Sequence, residues 1–431
     1  MSHILKAKYL YQLMRSQWKS FDELKAMQDK KLRAMIRYAY ENVPFYQDKF
    51  DRAGVLPGDI NTAEDLPKLP VTTKQEIKEG FPLQMIAKGV DINKCWLPHT
   101  SGSTGTPMIV AYNEAAEDFQ KAVALRPNIS CGQGYFDKWV TFTDPRHITG
   151  KKLFQHFGLF NPTRISLFES LDNQIALLRK IKPKILEGYP SHLYTLVKKI
   201  RELNASVNPK IIFTTAELLN SNVRKYIESN LNAPIYDQFG CVELGRTAWQ
   251  CPKREGYHID VEAIIMEFVA KGQQVAEGEV GEIVYTELYN FAMPLIRYAS
   301  GDIGKLANRT CSCGRGLPLM EMVLGRRDDF LTCLNGSLIT PITMDLIFKN
   351  MIVIDECRVI QERIDLIIVQ TVSQKPLSQI LLDEIESRIK TVLGKDIKLE
   401  IQQLDKLDKD TSGKLRKVIS KVEVIDNYTM D

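Results

Sequence analysis

Between Ile175 and Glu243 the chain alternates helical stretches with short apolar runs, and this rhythm restricts it to an α/β architecture. Ile175 to Lys182 has helical spacing, Ile185-Leu186 is a short strand, and Tyr189-Pro190-Ser191 opens a second helix that runs to Leu203. Lys210 to Thr215 reads as a buried strand delivering Ala216-Glu217 at its C-terminal end, where open α/β sheets bind their ligands. Pro234 to Glu243 repeats the device, with an aromatic residue, Phe239, a turn at Gly240 and a carboxylate, Glu243. Such a ring can stack on a base, and such a carboxylate can hold a magnesium ion beside phosphates.

Upstream lies the loop Thr100-Ser101-Gly102-Ser103-Thr104-Gly105-Thr106-Pro107. Its glycines let backbone N–H groups approach an anion and its hydroxyls add donors, so the stretch suits a polyphosphate. No Gly-Lys-Ser/Thr ending follows, which excludes a Walker-type loop. Downstream, Gly281 to Thr286 reads as a strand, and Pro294 to Asp302 ends in an acidic turn where Asp302 could accept both ribose hydroxyls.

The ends of the chain have a different character. From Ser20 to Ala39 apolar residues recur at helical spacing and Asn42-Val43-Pro44 stops them, so residues 1–80 read as a helical cap that continues through a proline-punctuated, linker-like passage. After Gly325-Arg326-Arg327-Asp328 a small α+β unit follows. Its strands lie around Arg358–Gln361 and Leu366–Val372 and at Ile397–Ile401, and its helix is capped by Ser378, stopped by Gly394 and apolar at Ile380, Leu381, Ile385, Ile389 and Val392. The expected division is 1–325, containing a core at 81–325, and 326–431, with the polar run at Asp328 as a hinge.

With 431 residues the chain has room for two or three units, and its net charge of +4, spread along the sequence, gives no nucleic-acid footprint. Met1 to Arg15 has no long apolar core and no stretch approaches eighteen uncharged apolar residues, so no membrane insertion and a cytoplasmic setting are expected. Eight cysteines then read as thiols or metal ligands. Cys251, His258, Cys311 and Cys313 form a Cys₃His set that suits structural zinc, tying the loop after Glu243 to the segment after Asp302.

Five segments in register, Thr100 to Pro107, Phe239 to Leu244, Arg297-Tyr298 with Gly301-Asp302, Gly325 to Asp328, and Ser412-Gly413-Lys414, resemble the AMP-forming acyl-activating enzymes. The tryptophan-containing N-terminal segment ending in Val43-Pro44-Phe45-Tyr46 and the Cys/His set make the chain most similar to the phenylacetate-CoA ligase group, in its CapK-like branch. The resemblance implies ATP, Mg2+ and CoA, and a mobile C-terminal domain. By this resemblance Ser101 to Thr106, with Thr100, would hold the β- and γ-phosphates, Glu243 the magnesium and Asp302 the ribose. Ala216, Glu217 and Phe239 would line the adenine pocket, with Asp237, Gln238 and Gly240 counted to the same nucleotide site. Arg326 would support ribose or phosphate, Asp328 would be the hinge, and Lys414 would bridge carboxylate and α-phosphate.

Departures from the family pattern are Cys241 where threonine is usual, Thr106 for a frequent lysine, and a passage at Thr143–Ile148 without the expected glycines. The phosphate machinery therefore reads as intact, while the acyl pocket, to which His147, Tyr189 and Gly240 are assigned, matches no particular small carboxylic acid. The acceptor reads as CoA, with an amine, a hydroxyl or a carrier as the alternative; a zinc-stabilised binding protein on a retired scaffold is the reading from another class. A homodimer is the default for a soluble enzyme.

Overall fold

The alternation in the sequence folds into a parallel half-sheet of five strands, β1 (Trp139–Thr143), β2 (Pro162–Ser166), β3 (Ile185–Gly188), β4 (Ile211–Thr215) and β5 (Ile235–Cys241), in the order β2-β1-β3-β4-β5. The structure, a computed structural model, describes residues 2–99, 107–144, 158–270, 272–326, 329–335, 338–339, 341–348, 351, 353–410 and 414–422. Ile185 and Leu186, and Ile211 through Thr214, are buried. That burial on both faces is why these strands read as continuous apolar runs rather than as alternation. The helices Leu171–Ile181, Pro190–Glu202 and Ser221–Leu231 pack Ile175, Leu178, Leu193, Leu196 and Ile227 against Val140, Leu186, Ile212 and Ile235. Each helix starts where local chemistry allows. Ser170 and Asn220 accept the backbone N–H of Asn173 (3.3 Å) and Val223 (2.8 Å), and Pro190 occupies a first-turn position that needs no donor.

The same sheet continues antiparallel through β6 (Gly245–Trp249), β7 (Tyr257–Ile259), β8 (Ile264–Ala270), β9 (Gln273–Gln274), β10 (Val280–Glu287), β11 (Tyr298–Leu306) and β12 (Leu319–Arg326). Their order after β5 is β6-β7-β12-β11-β10-β8-β9, which makes twelve strands in all. The helix Phe21–Asn42, closed at its start by a reciprocal Ser20/Glu23 capping box, sends Leu24, Leu32, Ile36 and Ala39 into one core with Phe268, Tyr285 and Tyr298. Cap and antiparallel half thus share a single interior. A buried ionic cluster reinforces it, with Arg126 paired to Asp260 and to Glu262 (2.8 and 3.0 Å), and Ser16 donating to Glu262 (2.5 Å).

The passage that reads as a linker is ordered. Pro57–Asp59 and Ala63–Lys68 are tight 3₁₀ turns, Ile60 between them and Leu66 within the second are fully buried, and Thr72 pairs with β11 through Thr72 N to Arg297 O (2.7 Å) and Ala299 N to Thr72 O (2.9 Å). The prolines shape turns whose apolar residues plug the core.

The C-terminal unit has its own sheet, ordered β17-β16-β15-β18, from β15 (Glu356–Arg363), β16 (Leu366–Val372), β17 (Lys398–Leu404) and β18 (Val418–Ser420). A small ribbon of β13 (Leu331–Thr332) and β14 (Leu338–Ile339) and the helices Pro341–Ile347 and Gln379–Leu393 complete it. Ser378 and Gly394 bracket the latter helix as expected. Its buried face, however, is Ile385, Ile389 and Leu393, while Ile380 is 80% exposed; it stands five residues before Ile385, off the i, i+4 line that meets the sheet. β18 escapes sequence reading because three residues in a charged tail carry no period. No helix among the described residues is long and apolar enough to cross a membrane.

Candidate active site

β5 and β6 form a hairpin joined by Val242-Glu243-Leu244. The two chains run so close that a Cβ on Gly240 would lie 2.1 Å from the carbonyl oxygen of Gly245, and Gly245 itself sits at φ +70°. Only glycines permit this turn, and the turn buries Glu243 at 3% exposure. Tyr298 Oη donates to its carboxylate (3.0 Å), Lys74 Nζ stands 3.7 Å away, and Tyr112 Oη donates to its backbone carbonyl.

The hydroxyl-rich loop itself, Thr100 to Thr106, lies outside the described residues, but its stem does not. His99 and Ile109, and Trp96 and Tyr112, pair antiparallel, with Trp96 N to Tyr112 O at 2.8 Å. Tyr298 Oη reaches Met108 Sδ at 3.8 Å, on the returning side of that stem. The loop is therefore rooted beside Glu243 and Tyr298.

On β11, Asp302 is 6% exposed; Ser300 Oγ donates to its carboxylate (2.9 Å) and accepts from its backbone N–H (3.1 Å). Its cross-strand partner on β12 is Arg326. The C-terminal ends of β4 and β5 lie side by side, Thr215 opposite Gln238, so that Ala216-Glu217 and Phe239 follow directly from adjacent strand positions. The side chains of Asp237 and Gln238 point into packing. Asp237 accepts from Thr214 (2.5 Å) and Tyr257 (2.6 Å) and its carboxyl is pushed up by burial, while Gln238 Nε2 donates to Asn128 (2.9 Å).

The small unit meets the same strand ends. Leu415 N donates to Glu217 (3.1 Å), Lys414 Nζ lies 5.8 Å from the centre of the Tyr189 ring, and Lys198 pairs with Asp355 across the interface. His147 and Asp328 lie outside the described residues.

Cys251 follows β6, His258 sits in β7, and Cys311 and Cys313 occupy the connection from β11 to β12. Their four ligand atoms lie within 4.8 Å of one another, with Cys251 Sγ to Cys311 Sγ at 3.7 Å and Cys313 Sγ to His258 Nε2 at 3.4 Å. A tetrahedron with metal–sulfur bonds of about 2.3 Å and a metal–nitrogen bond of about 2.0 Å has edges of about 3.8 and 3.5 Å. These two separations match those edges, and burial lowers the His258 imidazole to about 4, so that it is neutral and able to ligate.

Three comparisons bear on this geometry. Residues 331–421 match the model of the CapK C-terminal domain. Over 325 residues the chain is 31% identical to a phenylacetate-coenzyme A ligase of Escherichia coli K12, covering 72% of this chain and 73% of that one. The chain belongs to the phenylacetate-coenzyme A ligase family. Membership makes it an AMP-forming acid–thiol ligase. A ligase of the same name from Aromatoleum evansii is 27% identical over 425 residues, 93% of this chain and 95% of that one. Among solved structures, 2-hydroxyisobutyryl-CoA ligase in its postadenylation state, with an acyl-AMP bound, superposes with a TM-score of 0.79 at 21% identity, covering 94% and 91% of the two chains. In its thioesterification state the same enzyme gives 0.65 at 23% identity, covering 95% and 92%.

Within this member of the phenylacetate-coenzyme A ligase family, sequence reading missed the surroundings of Glu243. Tyr298 stands in a quoted motif, but Lys74, Tyr112 and Glu287 carry no local signal and are joined to Glu243 only by the fold. Glu287 is fully buried beneath it; Tyr112 Oη lies 3.1 Å from one of its carboxyl oxygens, and burial raises the carboxyl from an ordinary 4.5 to about 8. Between those values the folded protein holds a proton that the unfolded chain releases, so stability is greatest below about pH 4.5 on account of this group and falls as pH rises through 8. Glu287→Gln keeps an oxygen for Tyr112 and cannot ionise. Thermal unfolding at pH 6 and pH 9 should show the native protein losing more stability than the variant across that interval, and equal losses would contradict the protonated state.

Proposed function

We propose that the protein joins a small carboxylic acid to ATP as an acyl-adenylate, releasing pyrophosphate, and then passes the acyl group to the thiol of CoA. In the first step a carboxylate oxygen bonds to the α-phosphorus and the α–β anhydride breaks, its electron pair leaving on pyrophosphate. In the second the thiol sulfur bonds to the carbonyl carbon, AMP leaves with the C–O pair, and the thiol proton passes to solvent.

Two anions meet in the first step, so the site must supply concentrated positive charge and exclude water. Thr100 to Thr106 would embrace the β- and γ-phosphates, the pair Asp302 and Arg326 would face the ribose, and Phe239, Ala216 and the backbone of Glu217 would flank adenine. Magnesium, when bound, would neutralise phosphate charge; Glu243, held by Tyr298, is its ligand in this reading. Lys414 would bridge the acid and the α-phosphate. Tyr189, with His147 and Gly240, would line the acyl side. Between the steps the unit from residue 326 onward would turn about Asp328, exchanging Lys414 for the acceptor. The higher TM-score against a postadenylation state than against a thioesterification state supports the first of these arrangements here.

The single observation that carries the reading is the convergence of the loop stem, Glu243 and Tyr298, with the Lys414 segment docked on the strand ends beside Phe239. We further propose zinc, when bound, as a structural tie held by Cys251, His258, Cys311 and Cys313, leaving no position for substrate. None of the cysteines is joined in a disulfide in the structure, and the cytoplasm is the setting proposed.

The test is product analysis with a panel of aryl, fatty and hydroxy acids, phenylacetate among them, offered with CoA, amines or a pantetheinyl carrier. An acyl-CoA and AMP in equal amounts are expected; transfer to an amine or carrier with none to CoA would move the acceptor, and ADP in place of AMP would overturn the chemistry.

A further inference from the structure

A lysine that must enter and leave a site is useful only if something fixes it while it is there, since a free lysine side chain has much rotamer freedom to lose. The segment bearing Lys414 is stiffened from within the small unit. Asp410 N donates to Lys414 O and Lys414 N to Asp410 Oδ1, both at 2.9 Å, while Arg358 Nε donates to Arg416 O (2.9 Å) and Arg416 Nε to Asp329 (3.2 Å). Between these anchors the Leu415 N–H faces the large unit.

It is received there by Glu217 Oε1 at 3.1 Å. The carboxylate is itself aimed by Ser191 at the start of the helix Pro190–Glu202, with Ser191 Oγ donating to Oε1 and Ser191 N to Oε2, both at 2.9 Å. Glu217 stands one residue beyond Ala216, whose φ of +70° turns the chain sharply at the end of β4. We propose that Glu217 is a positioning residue, a clamp on the backbone of the lysine segment that sets Lys414 for adenylation and lets go when the small unit turns. This rests on the ligase reading of Lys414 above. A charge-assisted bond to a backbone N–H is strong enough to hold a segment and, being single, weak enough to release it.

The test separates the two half-reactions in Glu217→Ala, Glu217→Gln and Ser191→Ala, each also made on a Lys414→Ala background. Loss of a hydrogen bond to a charged group predicts that Glu217→Ala lowers kcat of ATP–pyrophosphate exchange about 10- to 100-fold. KM for ATP should stay within about twofold, the mark of an interaction that aids the transition state alone. Thioester formation from supplied acyl-adenylate should fall far less than exchange does. Glu217→Gln and Ser191→Ala should fall between, and keep the test open should the alanine variant not fold. On the Lys414→Ala background the Glu217 substitutions should cost nothing more. A raised KM for ATP with kcat intact would make Glu217 a nucleotide contact and overturn the clamp. So would wild-type exchange in the Glu217 variants while Lys414→Ala is inactive, whereas wild-type exchange in Lys414→Ala itself would overturn the ligase reading of the lysine and the clamp with it.

Discussion

Lys414→Ala should lose about 100- to 1,000-fold in the rate of acyl-adenylate formation, the scale seen when a preorganised charge aimed at a developing anion is removed. ATP affinity should change little, because the lysine arrives on a unit separate from the strand ends proposed to hold the nucleotide. Conversion of supplied acyl-adenylate to thioester should survive, since the proposed turn of the small unit withdraws the lysine for that step. Rapid-quench measurement of both half-reactions checks all three, and pyrophosphate release at the native rate would contradict the role.

The second large effect concerns the Cys₃His cluster. Purified protein should contain about one zinc per chain, and Cys311→Ser should lose both the metal and several kcal/mol of stability. The four residues join the connection after β6 to that between β11 and β12. The β11–β12 connection also carries Arg315, which stacks on Trp18 (4.5 Å) and Trp249 (5.3 Å) and binds Gln17 (2.9 Å), so loosening it would reach the N-terminal helices. A fall of about 5 °C or more in the melting temperature on chelation is expected. A metal-free preparation that melts and turns over like the native protein would end the proposal.

Much of this was legible from residue order because the relevant signals are local. Ser378 and Gly394 bracket a helix as their chemistry dictates, and the apolar runs at Ile185 and Ile211 became adjacent parallel strands, while the helix read from Ile175 starts earlier, at Leu171 after its Ser170 cap. The Cys₃His set was readable because few residue types ligate zinc, although its halves meet through long-range contacts, the pairing of β7 with β12 and the bonds of Glu255 to Ser312. What stayed hidden depends on long-range register. Nothing near Asp302 announces that Arg326 will stand opposite it, nor near Glu243 that Tyr298 and Lys74 will flank its carboxylate. Asp237 and Gln238 share a strand with Phe239 and point to opposite faces of it, and both are buried because the fold covers both faces at that point. Glu217 was legible as a residue at a binding edge, but its partner Leu415 comes from the other end of the chain.

The central claim is that an acid and ATP react at this site before any thiol is needed. ATP–pyrophosphate exchange in the absence of CoA, run over a panel of carboxylic acids, tests it most directly. Exchange that requires one class of acid, proceeds without CoA and vanishes in Lys414→Ala is the predicted result; exchange that occurs only once CoA is added, or with no acid in the panel, would contradict it.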